Sequence, residues 1–349
     1  MVAVLTAMAA LLGACADSAG SPPAAEARKA SFAEPEVTWA QGRTLHYGPR
    51  QFDLGPGVVK RLWRTSYGFI YLHAEDGSMD APSIYRFFDG ARSTPLPGEP
   101  SSVAVSPDGR YAGWIDIQGT PAMPDHVRRE AADENDDGPA EAVVVDLRTG
   151  RVVMRNRDDM GDRGEDLADL YEDGDLRFGG FDEKYAYWAA PDAKFPWRRA
   201  EIGTRDTETA SRITSHPGDS LTGQSAGTID DPEVPTRGGL AGFRSQNRRW
   251  CVTTGQVGRL WVDDCRTRRD TTPSYPTRAV FFGGWQGDDR LYVLTRRNWR
   301  LNPVSVTPDR TSGVIASCTL PAGRCRSIVT VKRTYTVVFA TGVPAYGSL

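Results

Sequence analysis

The chain has 349 residues, of which 39% are apolar and 25% charged, so it is long enough for one large domain of ordinary globular composition. Its formal net charge of −3 gives no overall basic footprint, so nucleic acid is not an expected partner. The 36 glycines and 24 prolines favour many tight turns over long helices. These bounds indicate a turn-rich protein that has no nucleic acid partner.

The first residues predict an export signal. Residues 2–12 form an apolar run that is too short to span a bilayer but has the length of a signal-peptide core. The run leads into Leu12-Gly13-Ala14-Cys15, which resembles the lipobox of bacterial envelope lipoproteins. The resemblance implies that residues 1–14 are a signal peptide and that Cys15 carries an anchoring lipid.

One feature departs from that family, because no Lys or Arg precedes the apolar run. The real start codon is therefore expected to lie further upstream. An ordinary secretory signal with a chance cysteine, or a buried strand, is the alternative.

Residues 15–35 are rich in Ala, Ser and Pro and predict a flexible tether. No second apolar run of membrane length follows in the sequence. We therefore expect an extracytoplasmic body, residues 36–349, that is anchored to the cell membrane by the lipid on Cys15.

The clearest structural unit lies in residues 101–156, where four short apolar or alternating runs are separated by turn signals. Ser106-Pro107-Asp108-Gly109 has proline and glycine where a turn favours them, and Arg148-Thr149-Gly150 predicts another turn. The unit is thus an antiparallel sheet of four strands in sequence order. A single sheet of this kind cannot bury both of its faces, so it needs neighbouring copies.

The unit recurs along the chain. The presumed second strands start at Phe69, Tyr111, Tyr185, Trp250 and Leu291. Their spacings are 42, 74, 65 and 41 residues, and two of these lie near the period of propeller repeats. The two longer spacings contain insertions, which we place at 118–140, 157–173 and 214–237.

Five complete units are predicted, in residues 58–98, 101–156, 174–216, 238–274 and 278–331. Residues 37–54 and 335–340 remain, and together they predict one composite sheet that closes a ring and removes its exposed edges. Double glycines at 179–180 and 283–284 suit strands that crowd towards a central axis.

The runs SPDGRYAGW and VVVDLRTG resemble those of the WD-repeat-like and TolB-like β-propellers of bacterial envelopes. The resemblance covers most of 58–331, and only 101–156 carries the motif cleanly. The predicted fold is an all-β propeller of about six four-stranded blades, with five to seven allowed, closed by the N- and C-terminal strands. A pair of β-sandwiches is the alternative, which the forty-residue period disfavours.

Four cysteines remain besides Cys15, and in an exported chain disulfides are the expected state. Cys251 and Cys265 lie at the outer ends of consecutive predicted strands, whereas Cys318 and Cys325 flank a predicted hairpin turn. We therefore expect the pairs Cys251–Cys265 and Cys318–Cys325. Zinc is the alternative, but the short knuckle spacings and nearby histidines of zinc sites are missing.

No catalytic residue is predicted. Residues 223–227 match the G-x-S-x-G pattern of a nucleophile elbow, but they lack the preceding strand and following helix that this chemistry needs. The four histidines show no metal-site spacing. Trp114, Trp188 and Trp261 lie inside predicted strands and are expected to fill the core.

Asp133, Asn135 and Asp137 follow the first half of a calcium loop, in which oxygen ligands alternate around a glycine turn. Val144 stands where an EF-hand needs a bidentate glutamate. We therefore expect a solvated acidic loop, with a calcium site as the alternative and no other cofactor. The acidic run 158–175 has the same two interpretations, and it could also dock a basic partner.

The leading hypothesis is a non-catalytic interaction module: a monomeric propeller that is tethered to the membrane and binds an envelope protein or glycan. The alternative is an extracytoplasmic propeller enzyme, a hydrolase or lyase on glycan or peptide, with its active site at the axial mouth. One fold hosts many functions, so the fold does not decide between them.

Overall fold

The computed structural model describes residues 28–34, 36–76, 81–98, 100–116, 141–156, 178–189, 197–204, 207–210, 241–245, 247, 249–255, 259–275, 279–296 and 312–341. These ranges contain 23 β-strands and one 3₁₀ turn at Thr334–Thr336. Nothing helical within them is long and apolar enough to cross a membrane.

The strands form six antiparallel sheets, which are the blades of a β-propeller. Five blades have four strands, and blade 5 has three in the described ranges. The predicted fold is confirmed. Blade 1 contains β23 (Val337–Phe339), β1 (Thr38–Gln41), β2 (Thr44–Tyr47) and β3 (Arg50–Asp53). Blade 2 contains β4 (Val58–Arg64), β5 (Phe69–Ala74), β6 (Ser83–Phe88) and β7 (Ser93–Pro95).

The remaining blades follow in chain order. Blade 3 contains β8 (Pro100–Val105), β9 (Tyr111–Asp116), β10 (Glu141–Asp146) and β11 (Arg151–Asn156). Blade 4 contains β12 (Phe178–Phe181), β13 (Tyr185–Ala189), β14 (Trp197–Glu201) and β15 (Thr207–Ala210). Blade 5 contains β16 (Ala241–Arg244), β17 (Trp250–Gly255) and β18 (Arg259–Asp264). Blade 6 contains β19 (Ala279–Trp285), β20 (Arg290–Arg296), β21 (Ser312–Thr319) and β22 (Arg324–Lys332).

Blade 1 joins the two ends of the chain. Strand β23 pairs antiparallel with β1, with Trp39 opposite Phe339 and Ala40 opposite Val338. The composite sheet predicted from residues 37–54 and 335–340 is therefore present. The residues that were aligned to predict the repeat also lie on the second strands of blades 2 to 6.

Hydrophobic clusters fill the seams between blades, because alternate residues of a strand point to opposite faces of the sheet. In β9, Trp114 belongs to the cluster between blades 2 and 3, whereas Ile115 belongs to the cluster between blades 3 and 4. In β23, Val338 packs between blades 1 and 2, and Phe339 packs between blades 6 and 1. A further cluster joins blades 5 and 6. No such cluster joins blades 4 and 5 within the described ranges, where the side chains of residues 241–244 are not described.

The double glycines lie in the innermost strands of blades 4 and 6, where the pairing register shifts at Gly180 and Gly284. Both residues have a positive φ, of 111° and 131°, which favours glycine. A Cβ on Gly283 would lie 2.9 Å from the carbonyl oxygen of Tyr292 and 3.0 Å from the ring of Phe339. The predicted crowding is thus confirmed at Gly283, and the first glycine of each pair has no partner in the register, as in a β-bulge.

Two of the three predicted core tryptophans, Trp114 and Trp188, are fully buried. Trp261 is only half-buried, because β18 is the outermost described strand of blade 5.

Both disulfides have the predicted pairing. Cys251 bonds to Cys265 across blade 5, and Cys318 bonds to Cys325 across the hairpin of blade 6. Each bond joins positions within one blade, since Cys318 and Cys325 face each other in the register of β21 and β22. The bonds are consistent with an oxidising, extracytoplasmic compartment.

Candidate functional site

The two faces of the propeller carry very different connections. The strands of a blade alternate in direction, so connections that follow second and fourth strands lie on one face, here the insertion face. Connections that follow first and third strands lie on the opposite face, here the turn face. In the four-stranded blades every turn-face connection has five residues or fewer.

The four longest connections join strand ends at the insertion face. These segments are residues 117–140, 157–177, 211–240 and 297–311, and they lie outside the described residues. The insertions predicted at 118–140, 157–173 and 214–237 fall within the first three. The fourth lies inside the unit predicted at 278–331, for which no insertion is predicted. The strands that flank these four connections therefore all end or begin at the insertion face.

A buried charged cluster lies where the first long segment leaves blade 3. Asp116 ends β9 and Glu141 begins β10, and the two residues are paired directly across the sheet. The guanidinium Nη1 of Arg155 lies 2.6 Å from Oε2 of Glu141 and 3.6 Å from Oδ2 of Asp116. Like charges opposite each other destabilise a sheet, so Arg155 offsets the repulsion between the two carboxylates.

The exposure of this cluster limits its chemistry. The Asp116 side chain has no exposed surface, and that of Glu141 is 4% exposed, whereas that of Arg155 is 29% exposed. Gly98 lies in the connection between β7 and β8, and a Cβ on this residue would overlap the Asp116 carboxylate. The backbone at Gly98 therefore covers Asp116. A general acid or base must come within hydrogen-bond reach of its substrate. In this geometry both carboxylates are buried at the ends of β9 and β10, and only the Arg155 side chain is partly exposed.

Residues 28–34 form a strap across the turn face. The backbone N–H of Arg28 donates to the carbonyl of Arg148 at 2.8 Å, and its Nη1 donates to the carbonyl of Leu147 at 2.7 Å. The same guanidinium lies 5.1 Å from the ring centre of Phe87 and 3.9 Å from the Asp89 carboxylate. The strap therefore begins on blades 2 and 3. The tether predicted over 15–35 ends earlier than expected, because residues 28–34 pack on the blades.

Phe32 anchors the middle of the strap. Its side chain is buried, and its ring centre lies 4.7 Å from Phe69, 5.4 Å from Tyr47 and 6.0 Å from Phe52. Its N–H donates to the carbonyl of Ser66 at 3.1 Å. One aromatic side chain thus fastens the strap to both blade 1 and blade 2.

The last residues of the strap cover a buried cation. The carbonyl of Glu34 accepts hydrogen bonds from the Tyr47 hydroxyl at 2.7 Å and from Arg64 Nη1 at 2.8 Å. Burial lowers the pKa of Arg64 from its usual value, and burial raises the pKa of Tyr292 to about 12. A buried guanidinium needs hydrogen-bond acceptors, and the strap backbone supplies one.

Several predicted site residues lie outside the described residues. These are the lipidation site Cys15, the calcium-loop residues Asp133, Asn135 and Asp137, and the G-x-S-x-G match at 223–227. The acidic run 158–175 is outside them too. Within the described ranges no group of three or more His, Cys, Asp or Glu side chains could hold a metal ion.

A turn motif that is not among the predicted features repeats in blades 3 and 5. The Ser106 hydroxyl donates to Asp108 Oδ1 at 2.6 Å and accepts the N–H of Tyr111 at 2.8 Å. Blade 5 repeats these bonds at the same positions with Ser245, Asn247 and Trp250. The pattern S-x-D/N-x-R-aromatic is visible in SPDGRY and SQNRRW, and it marks the turn between the first two strands in both blades.

Comparisons with known proteins give structural likeness alone. No protein-family model matches the chain, and no curated protein matches its sequence. The structure of a putative TolB from Agrobacterium tumefaciens is 8% identical over 88% of this chain and 93% of that one, with a TM-score of 0.39. An oligogalacturonate lyase from Vibrio parahaemolyticus is 11% identical over 93% and 90%, with a TM-score of 0.31. The Cps50 (Swd1) β-propeller domain from Myceliophteria thermophila is 13% identical over 80% and 72%, with a TM-score of 0.29. At these identities and TM-scores the likenesses carry no argument about function, and the propeller fold rests on the six sheets and their order.

Proposed function

We propose that this protein is a non-catalytic interaction module of the cell envelope. It is a monomeric propeller held at the outer face of the cytoplasmic membrane by a lipid on Cys15, and it offers its insertion face to an envelope protein or glycan. The observation that carries the proposal is the contrast between the two faces. The strap lies on the turn face of blades 1 to 3, and the four longest segments start from the insertion face.

The strap determines from which face the tether leaves the propeller. Because residues 28–34 are held on the turn face, the chain that leads back to Cys15 starts from that face. A lipid on Cys15 would therefore hold the turn face towards the membrane and the insertion face towards the envelope. Binding sites are commonly built from long loops on a rigid scaffold, which supports the insertion face as the binding surface.

Membrane attachment is tested by Cys15→Ser in the full-length chain, expressed in a bacterial host. We expect the wild-type protein to partition into the detergent phase and the variant to be soluble or unprocessed, because the thioether to the lipid forms on this sulfur. Ser18→Cys in the Cys15→Ser background is the matched control, and it should not restore partitioning. A wild-type protein that is wholly soluble in the medium would contradict the anchor.

Binding by the insertion face is tested by shortening one segment. Asp116 and Glu141 pair directly, so an Asn-Gly turn can replace residues 117–140 and close the hairpin with little distortion. We expect this variant to fold as the wild type does and to retain fewer detergent-solubilised envelope proteins or purified glycans on a column. A variant with an altered turn-face residue, Asp108→Asn, should retain them like the wild type. Equal retention by all three proteins would contradict the proposal.

The alternative function is a propeller hydrolase or lyase, and one observation favours it. Asp116, Glu141 and Arg155 place two carboxylates and a cation together at the insertion face, and paired carboxylates are the usual acid and base of glycan cleavage. Their burial weighs against this reading. Reproducible turnover of a glycan or peptide that is absent in Glu141→Gln would replace the binding proposal with this one.

A further inference from the structure

The turn face of blades 5 and 6 carries an arginine patch. All the arginines of the patch are exposed, and the neighbouring Asp264 is half-buried. The patch consists of Arg249, Arg266, Arg268, Arg269, Arg290, Arg324 and Arg326. None of the seven forms an ion pair with another described residue.

The carboxylates on the same surface leave an excess of positive charge. They are Asp264, Asp270, Asp288 and Asp289, so the seven arginines outnumber them. Three of the four already accept hydrogen bonds from the protein, and Asp270 Oδ1 accepts the N–H of Thr272 at 2.8 Å. Asp264 Oδ1 accepts the N–H of Thr267 at 2.8 Å, and Asp289 Oδ1 accepts the indole N–H of Trp250 at 2.7 Å.

The two disulfides hold the backbone that carries most of the patch. Cys265 immediately precedes Arg266, and Cys325 lies between Arg324 and Arg326. The ring of Trp250, next to Cys251, lies 4.5 Å below the Arg249 guanidinium. The guanidinium groups therefore extend from rigid turns, which lowers the entropy lost when they bind a charged surface.

The length of the tether limits how far a charged surface bound by the arginine patch can lie from the lipid anchor. The strap begins at Arg28 on the turn face, and Cys15 lies thirteen residues earlier in the chain. A fully extended chain of that length reaches about 45 Å at most. On the proposed lipid anchor, the turn face is thus kept within about 45 Å of the bilayer.

We propose that the arginine patch docks on an anionic lipid surface, so that the lipid on Cys15 and the patch together orient the propeller. This orientation rests on the proposed function, whereas the affinity of the patch for anionic lipid does not. Arginines bind phosphate groups with two parallel hydrogen bonds, and each basic residue near an anionic bilayer strengthens binding about fivefold.

The experiment uses the chain from residue 15 onwards with Cys15→Ser, which keeps every described residue and removes the lipid. It is sedimented with phosphatidylcholine vesicles that contain or lack phosphatidylglycerol, at low and high salt. We expect binding to the anionic vesicles alone, and weaker binding as salt rises. The triple variant Arg266→Gln, Arg269→Gln and Arg324→Gln should bind about a hundredfold more weakly.

The matched control removes three exposed cations from the insertion face: Arg43→Gln, Lys332→Gln and Arg333→Gln. It should bind the anionic vesicles like the parent, and circular dichroism should show that both triple variants are folded. Equal binding to neutral vesicles, equal loss in the control, or binding to a sulfated glycan in place of the vesicles would overturn the proposal. The outcome is separate from that of the Cys15→Ser partition test, because no lipid anchor is present here.

Discussion

Replacing Val338 by aspartate is expected to leave the protein unfolded or insoluble. Val338 is 1% exposed and lies in β23, where it packs into the cluster that joins blades 1 and 2. An aspartate there would bury a carboxylate without a partner, at a cost of several kcal/mol or more. The whole free energy of unfolding of a domain is only about 5–15 kcal/mol.

Two further variants test whether the effect of Val338→Asp comes from the added charge or from its position in β23. Val338→Ala should lower the free energy of unfolding by about 2 kcal/mol in urea titrations, since it removes buried methyl groups from a site that is only partly able to collapse. Ile328→Asp places the same charge on β22, where the isoleucine is 48% exposed, and it should change stability little. If Val338→Asp folded as stably as Ile328→Asp, β23 would not be the strand that closes blade 1.

Phe32→Ala is expected to lower the free energy of unfolding by about 3 kcal/mol. The ring is 2% exposed and contacts three aromatic side chains of blades 1 and 2, so its removal leaves a cavity beneath the strap. The strap also opens more readily, because Phe32 is its deepest anchor. Urea unfolding measures the first effect, and hydrogen exchange at the Phe32 amide, which bonds to Ser66, measures the second.

The matched control is Ile84→Ala on β6, where the side chain is 53% exposed. It should leave both measurements unchanged. A Phe32→Ala protein with wild-type stability and wild-type exchange at residues 28–34 would mean that the strap does not hold the turn face.

Much of the fold could be predicted because turn-forming residues that are adjacent in the sequence mark its repeats. SPDG at 106–109 and the aligned second strands define blades without reference to distant residues, and local cysteine spacing suffices for the two disulfides. Closure by β23 could be predicted because the segments 37–54 and 335–340 were left without another sheet to join. In each case the deciding signal lies within a few residues of the feature.

The strap, the difference between the two faces and the charged cluster could not be predicted from the sequence. Each depends on contacts between residues that lie far apart along the chain. Residues 28–34 continue the Ala- and Ser-rich composition of the tether, and their partners, such as Ser66 and Arg148, lie far along the chain. Asp116 and Glu141 each border a long polar segment, so in sequence they resemble solvated charges. The arginine patch collects residues from 249 to 326, which no local pattern joins.

The pairing of β1 with β23 also has a consequence for biosynthesis. The ribosome produces β1 to β3 first, yet their partner strand is among the last described residues to emerge. Until then the inner edge of β1 has unpaired N–H and C=O groups, and such edges are templates for aggregation. Blades 2 to 4 can form while the chain is still growing, but the ring can close only after residue 339 has emerged from the ribosome. A nascent chain stalled before residue 337 should therefore depend on chaperones, and its release should be followed by rapid compaction.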